Sequence, residues 1–399
     1  MTCSLQQSLP TGLTFSKNVS GAVEPWHLVK TKAESYSSIH QQYWYKTVGR
    51  TLATFLDSAR YSPQSQLVIL YQFASLVAPH LGPSPVLGLP LWKSFMTDNH
   101  TPVELSWDFH TGTSRPTIRY SIEPISLDAG TVSNPYNDRA AADFRRDAVK
   151  AFPDTDTTLF DHFQQCFSRG WTQGNPEGHG TTMFWAFDLK ENATTNKAYF
   201  FPGVVAHATN RSTLDVISDA FSSAPACSPK SIRSFDVFTD FVNQHQNLDL
   251  EIDMLALDLV RLEKSRLKIY FRDRRTDFNA VKEVMSLDGK LQGHDFDKGI
   301  RNLKRLWGAL LDTDTVAGDV SLPHRDHRTA GILYNIEFRA DNALPKVKVY
   351  IPVRHYAKSD LQIIGALKGF LTDQVSKQPD IPMEPVFAKQ YSDCLQSIL

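Results

Sequence analysis

Arg266, Lys268 and Tyr270 occupy alternate positions of the stretch "RLKIYFR" (266–272). In a β-strand that spacing puts all three side chains on one face, with Leu267, Ile269 and Phe271 on the other. Two cations and a phenol on one face ask for an anion beside something an aromatic ring favours. The pattern recurs. "KAYFF" (197–201) puts Lys197 two residues before Tyr199, and "KVKVYIP" (346–352) puts Lys346 and Lys348 before Tyr350. "TIRYSIEP" (117–124) has Arg119 at the matching place. A single lysine-x-tyrosine reads as a solvated sheet face. Three at matching places, with an arginine in the fourth, mark a site.

Arg119, Lys197, Arg266, Lys268 and Lys348 together suit a diphosphate, which Arg and Lys hold through charge-assisted hydrogen bonds. There is no Asp-rich DDxxD-type motif for Mg²⁺. The acids of "PDTDTT" (153–158) and "LDTDT" (311–315) fit helix N-caps instead. The protein's own cations would therefore neutralise the leaving group. If the ligand is an allylic diphosphate, loss of diphosphate generates an allyl cation. Tyr199, Tyr270 and Tyr350 would shield that cation through their ring quadrupoles and exclude quenching water. The first hairpin adds Glu104, with Ser106 and Asp108 on the same face. A carboxylate among aromatic groups can accept a hydrogen bond from an indole N–H or phenol O–H and raise that ring's nucleophilicity.

The elements that must position these residues are four hairpins, at 102–124, 182–202, 252–272 and 330–352, each with a polar turn between alternating apolar runs. Helical periodicity fills the intervals, at 37–60, 63–81, 137–152, 156–170, 231–246, 277–287, 297–311 and 359–375. The order predicts an α+β fold in which successive antiparallel hairpins, covered by helices, close into one barrel. Polar faces would then line a lumen, whereas a small barrel fills its centre with apolar side chains.

Composition agrees with a single globular domain over 1–399, with 1–35 as a loosely ordered arm. The net charge of −1 gives no general basic bias, so no nucleic-acid partner is expected. Cys3, Cys166, Cys227 and Cys394 are scattered, which fits reduced thiols better than disulfides or a zinc site. No signal peptide and no membrane span are read, so the expected location is cytoplasmic. The N-x-S/T triplets at Asn18, Asn99, Asn192 and Asn210 read as chance matches.

Taken together, "LGPSP" (81–85), "PVELSW", "RYSIEP", "AFDLK", "KAYFFP", "RLKIYFR" and "KVKVYIPVRHYAKSDLQ" resemble the fungal dimethylallyltryptophan synthase family, the aromatic (indole) prenyltransferases. The resemblance covers most of the chain. It implies the ABBA-type (PT) antiparallel barrel ringed by helices. It also implies transfer of a dimethylallyl group from dimethylallyl diphosphate to an aromatic acceptor, in secondary metabolism such as indole alkaloid biosynthesis. No metal or other cofactor is required in the family, the partners are small molecules, and a monomer or homodimer is expected. By residue matching, Glu104 would contact the indole N–H. Arg119, Lys197, Arg266, Lys268 and Lys348 would bind diphosphate, and Tyr199, Tyr270 and Tyr350 would form the shield. Backbone contacts to the acceptor would fall at Phe95 and Met96.

The chain departs from the family pattern in three places. Asp253 stands about where tryptophan-using members have an arginine for the substrate carboxylate, which favours a tryptophan-containing cyclic dipeptide or other fused indole. Met183 or Phe184 stands where such members have a lysine base, and Lys190 lies at the turn. The expected fold also lacks the final, fifth hairpin. Alternatives are prenylation of a phenolic or polyketide aromatic or of free tryptophan, or an inactive, barrel-open protein. Elsewhere, His355 and Tyr356 of "PVRHYAKSD" read as packing, Ser359 or Asp360 as an N-cap, and "HRDHR" (324–328) as a solvated loop. Trp107 and Trp185 read as chamber or core aromatics.

Overall fold

The computed structural model of the protein describes residues 25–34, 38–109, 115–168, 179–225, 232–246, 248, 250–313, 316–340, 342–377 and 385–398. The first hairpin's turn, much of the N-terminal arm, Cys3 and Cys227 lie outside them. Each expected hairpin is a pair of adjacent strands: β1 (Val103–Asp108) with β2 (Thr117–Ile122), β3 (Met183–Lys190) with β4 (Ala193–Phe200), β5 (Glu251–Asp258) with β6 (Leu267–Asp273), and β7 (Ile332–Phe338) with β8 (Lys346–Tyr350). The helices are α1 (Pro25–Glu34), α2 (Ile39–Trp44), α3 (Arg50–Ser58), α4 (Pro63–Gln72), α5 (Ala140–Ala151), α6 (Thr158–Phe167), α7 (Gly203–Ala208), α8 (Thr213–Ser222), α9 (Arg233–Gln244), α10 (Phe278–Ser286), α11 (His294–Leu311), α12 (Val353–Tyr356), α13 (Asp360–Lys377) and α14 (Pro385–Ile398).

The chain divides into two compact units. Among the described residues, the first takes those up to 156, from 179 to 198 and from 393 onward, and the second takes 157–168 and 199–392. Thus β4 passes from the first unit into the second after Ala198. Strand neighbours follow chain order within each unit, β1-β2-β3-β4 and β5-β6-β7-β8.

In the first unit, Ile118, Tyr120 and Ile122 of β2 and Trp185, Phe187 and Leu189 of β3 form one buried apolar face. Phe144 of α5 meets Trp185 and Phe187 edge-on at 5.4 and 6.3 Å. The Trp185 indole N–H donates to Asn196 at 3.0 Å, which satisfies its one polar atom. In the second unit, Phe235 and Phe238 of α9 pack on Phe271 of β6 and Phe338 of β7. Phe163 and Phe167 of α6 lie against Phe200. Period-2 alternation therefore does what the sequence requires: apolar residues go under the helices and the polar set goes to the opposite face.

Helix details differ from expectation for local reasons. The helices expected at 37–60 and 63–81 are interrupted by π-turns at Tyr45–Gly49 and Phe73–Val77. Gly49 lies against the Tyr45 ring, where a Cβ would come within 2.9 Å. Pro25–Glu34, placed in the loose arm by sequence, is helix α1, with Val29 and Ala33 buried. Helices α7 and α8 were not foreseen, because "GVVAHA" continues the apolar run that ends β4. After β8 come α12, α13 and α14, with no ninth strand among the described residues. The His355 imidazole meets Thr329 at 2.8 Å, the Tyr356 hydroxyl accepts from the Gly331 N–H at 3.0 Å, and Ser359 accepts from the Gln362 N–H. All are packing roles, as the sequence indicates. No helix among the described residues is long and apolar enough to cross a membrane.

Tyr61 ties the helical layer of the first unit to its strands. Its hydroxyl donates to the Leu189 carbonyl at 2.5 Å and accepts from the Ile118 N–H at 3.1 Å. Ile118 and Leu189 are register partners across β2 and β3. Burial pushes the phenol up to about 12. Tyr61→Phe leaves two buried backbone groups unsatisfied and should cost about 2 kcal/mol in chemical denaturation. A loss below about 0.5 kcal/mol would show that the hydroxyl does not hold this junction.

Candidate active site

In the first unit, two cations converge on one acid. Arg119 stands opposite Ser106 in β1 and opposite Asp188 in β3. Its guanidinium pairs with Asp108, and its Nε lies 3.1 Å from an Asp188 oxygen. The other Asp188 oxygen receives the Lys197 Nζ at 2.5 Å. Lys197 and Asp188 are almost wholly buried, 7% and 10% exposed. The two predicted cations of this unit are thus brought together, and the group that joins them is a carboxylate the sequence reading did not single out.

The second unit repeats the device. Arg266 grips Asp258 with two hydrogen bonds, at 2.5 and 3.1 Å. Lys268, opposite the small Ala256, reaches the same carboxylate at 3.6 Å. Glu337 of β7 stands opposite Lys268, lies 3.9 Å from Arg266 and accepts from Arg339 at 3.0 Å. Lys348 stands opposite Asn335 and is exposed, with no ion pair among the described residues.

Two residues beyond each lysine on its strand comes a tyrosine. In the second unit the Tyr199 and Tyr270 rings lie 5.7 Å apart, and Tyr270 and Tyr350 lie 5.9 Å apart, all tilted. Asn335, opposite Tyr270, donates to the Tyr350 hydroxyl at 2.7 Å. Burial, reinforced by neighbouring Tyr199, holds the Tyr270 phenol above its ordinary pKa. Tyr270 at the centre of the wall is therefore a neutral phenol, whose ring favours a nearby cation without supplying a phenolate.

Glu104 stands opposite Ser121 on the face shared with Ser106 and Asp108. Its carboxyl is solvent-accessible, yet the surrounding protein raises its pKa by desolvation. No hydrogen bond or ion pair engages Glu104 among the described residues. An acid whose ionised form is disfavoured by its surroundings, with no protein donor among the described residues, can accept a hydrogen bond from a ligand.

Phe95 and Met96 lie in the loop before β1, anchored from below by Glu123, another residue the sequence reading passed over. Glu123 is 2% exposed and accepts from the Trp92 indole N–H at 2.9 Å, the Ser94 hydroxyl at 2.5 Å and the Thr181 hydroxyl at 2.9 Å. The Phe95 ring stacks on His179 at 4.2 Å. Of the places where the family pattern is broken, Met183 and Phe184 are buried, and Lys190 is exposed at the end of β3. Asp253 sits in a β-bulge and faces two arginines, Arg272 at 3.6 Å and Arg328 at 3.8 Å.

The missed acids had a signal. Asp188, Asp258 and Glu337, in "FDL", "LDL" and "IEF", occupy the place in the first strand of their hairpins that Asp108 holds in "WDF" of the first. Among the described residues no group of three or more His, Cys, Asp or Glu side chains is disposed to hold a metal ion.

Comparison with known proteins agrees with this geometry. The tryptophan dimethylallyltransferase family model matches residues 40–379. The chain is 35% identical to 4-O-dimethylallyl-L-tyrosine synthase of Claviceps purpurea, over 83% of this chain and 76% of that one. It is 33% identical to 7-dimethylallyltryptophan synthase of Aspergillus fumigatus, over 82% and 73%. Among solved structures, AnaPT of Neosartorya fischeri superposes with a TM-score of 0.76 at 25% identity, covering 94% of this chain and 88% of that one. The chain therefore belongs to the tryptophan dimethylallyltransferase family of aromatic prenyltransferases, and its fold is the family's helix-clad antiparallel barrel class.

Glu123 makes stability depend on pH. Burial pushes its pKa from 4.5 to about 7 against the pull of its hydrogen bonds. The folded state thus holds a proton that the unfolded chain has released, and the resulting stabilisation is complete below about pH 4.5 and lost as pH rises through about 7. Denaturation of wild type and Glu123→Gln between these pH values should show a decline in wild type, a few kcal/mol at most, that the variant lacks. Parallel curves would show that Glu123 does not titrate in this range.

Proposed function

We propose that this family member transfers a dimethylallyl group from dimethylallyl diphosphate to an indole-containing acceptor, a tryptophan-containing cyclic dipeptide or other fused indole being favoured. The observation that carries the reading is Glu104: an acid without a protein partner among the described residues, on a polar strand face. In this reading, Arg119, Lys197, Arg266, Lys268 and Lys348 serve the diphosphate. As the C1–O bond of the allylic diphosphate breaks, its electron pair leaves with the diphosphate, whose charge these cations stabilise. Tyr199, Tyr270 and Tyr350 shield the allyl cation. The arene, polarised by an N–H donated to Glu104, forms the new bond to the prenyl carbon, and loss of its ring proton restores aromaticity. Phe95 and Met96 contact the acceptor through their backbone.

No step in this scheme calls on a metal or other cofactor; the family resemblance and the repeated cation sets support that reading. The same reading makes the enzyme a monomer or homodimer and cytoplasmic, the latter in keeping with the thiol form of Cys166 and Cys394.

A second reading has a specific observation behind it. Arg272 lies two residues beyond Tyr270, and with Arg328 it faces Asp253 at ion-pair distances too long for hydrogen bonds. One acid and two guanidinium groups suit the ammonium and carboxylate of a free aromatic amino acid. The arginine missing from β5 would then be replaced from β6. The synthases from Claviceps and Aspergillus carry amino-acid products in their names.

Mass spectrometry of purified protein with EDTA, dimethylallyl diphosphate and a panel of cyclic dipeptides, free tryptophan, free tyrosine and phenolic acceptors tests both readings. The first predicts a single dimethylallyl gain on an indole acceptor, abolished by Glu104→Ala. Gain on a free amino acid, with KM for it raised about tenfold or more by Arg272→Met, would select the second. No gain on any acceptor by folded protein would contradict both.

A further inference from the structure

Glu123 does more than fill a buried position: it fixes which polar groups the loop before β1 can show an acceptor. One of its oxygens, Oε2, receives two hydroxyls, from Ser94 at 2.5 Å and Thr181 at 2.9 Å. Each hydroxyl also accepts a backbone N–H. Met96 N donates to Ser94 Oγ at 3.1 Å, and Phe95 N donates to Thr181 Oγ1 at 3.2 Å. A backbone N–H can only donate, and a hydroxyl has one proton. With Glu123 ionised, each chain therefore has a single direction, from amide to hydroxyl to carboxylate. The Trp92 indole N–H, also a donor only, closes on Oε1 at 2.9 Å. His100 braces the same segment from its other end, with its ring 3.0 Å from the Ser94 carbonyl.

We propose that Glu123 is a positioning residue for the acceptor side of the site: through Ser94 and Thr181 it engages the amides of Phe95 and Met96, so that this segment offers its carbonyl oxygens to the acceptor. A segment whose amides are engaged inward takes N–H and O–H donors, such as an indole, ammonium or lactam N–H. It discriminates against a carboxylate or carbonyl placed at the same point, which would need those amides. This rests on the proposed acceptor role of Phe95 and Met96 and specifies its chemistry. Preorganisation by a buried acid also has the right stiffness: each hydrogen bond to it is made away from bulk water, where losing a partner is costly.

Two readouts test the proposal. The first needs no turnover: hydrogen exchange at the Phe95 and Met96 amides in ligand-free wild type, Glu123→Gln, Ser94→Ala, Thr181→Ala and Thr181→Ser. The expected result is exchange at least tenfold faster at Met96 in Ser94→Ala, at Phe95 in Thr181→Ala and at both in Glu123→Gln, with Thr181→Ser close to wild type. Unchanged exchange in Ser94→Ala and Thr181→Ala would overturn the relay, and these milder variants keep the test open if Glu123→Gln does not fold. The second readout is steady-state kinetics. KM for the acceptor should rise about tenfold or more while KM for dimethylallyl diphosphate stays within about twofold. Faster exchange with an unchanged acceptor KM, or equal changes for both substrates, would overturn the positioning role. If wild type prenylates no acceptor, the proposed function fails, and the exchange data alone decide whether Glu123 organises the segment.

Discussion

A cation taken out of water needs a counter-charge, and the strands of this protein carry that counter-charge with them. Asp258 sits between Arg266 and Lys268, and Asp188 between Arg119 and Lys197. Without these acids the buried ammonium groups of Lys197 and Lys268 would be driven to lose their protons or to turn outward. With them, cations can be lined up on strand faces in the empty protein and exchange partners when an anion arrives. The strand geometry follows from the same need. Arg119 and Lys268 stand opposite Ser106 and Ala256, residues small enough to let a long side chain lie across to an acid two positions further along.

The remaining features order themselves along each strand from that point. On β4, β6 and β8, moving from the acid row, one meets the cation, then the tyrosine, and on β6 the arginine Arg272 beyond it. In this account the sequence of functions is leaving group, reactive carbon, acceptor. A neutral phenol next to cations is chemically consistent: burial keeps Tyr270 protonated, so it adds no anion to compete for the electrophile. Apolar faces packed under α5, α6 and α9 hold the strands in register, and register decides whether a side chain enters the site or the core.

Much of this was legible in the sequence because a strand writes its faces at period two. The four hairpins, the tyrosines and the five cations follow from that period and its repetition. The acids at Asp188 and Asp258 were written with the same period but on the opposite strands, in stretches that read as ordinary amphipathic β-structure. Their meaning depends on cross-strand pairing, which one strand alone does not show. Asn335 and Glu123 were hidden for a related reason. Neither stands out by its spacing, and only the partners brought in from distant segments, Tyr350 for one and Trp92, Ser94 and Thr181 for the other, show what it does. The π-turns at Tyr45–Gly49 and Phe73–Val77 leave the helical pattern of apolar residues almost unchanged, so periodicity is silent about them.

The central claim of the proposed function is that Lys197, held by Asp188, and Lys268, held by Asp258, serve as diphosphate-binding cations. Isothermal calorimetry with inorganic diphosphate tests it without reference to any acceptor. The account predicts saturable binding to wild type, weakened about tenfold or more by Lys268→Met and by Lys197→Met, with Tyr61→Phe as a control that leaves affinity unchanged. Equal affinity in wild type and both lysine variants, with the proteins folded, would contradict it.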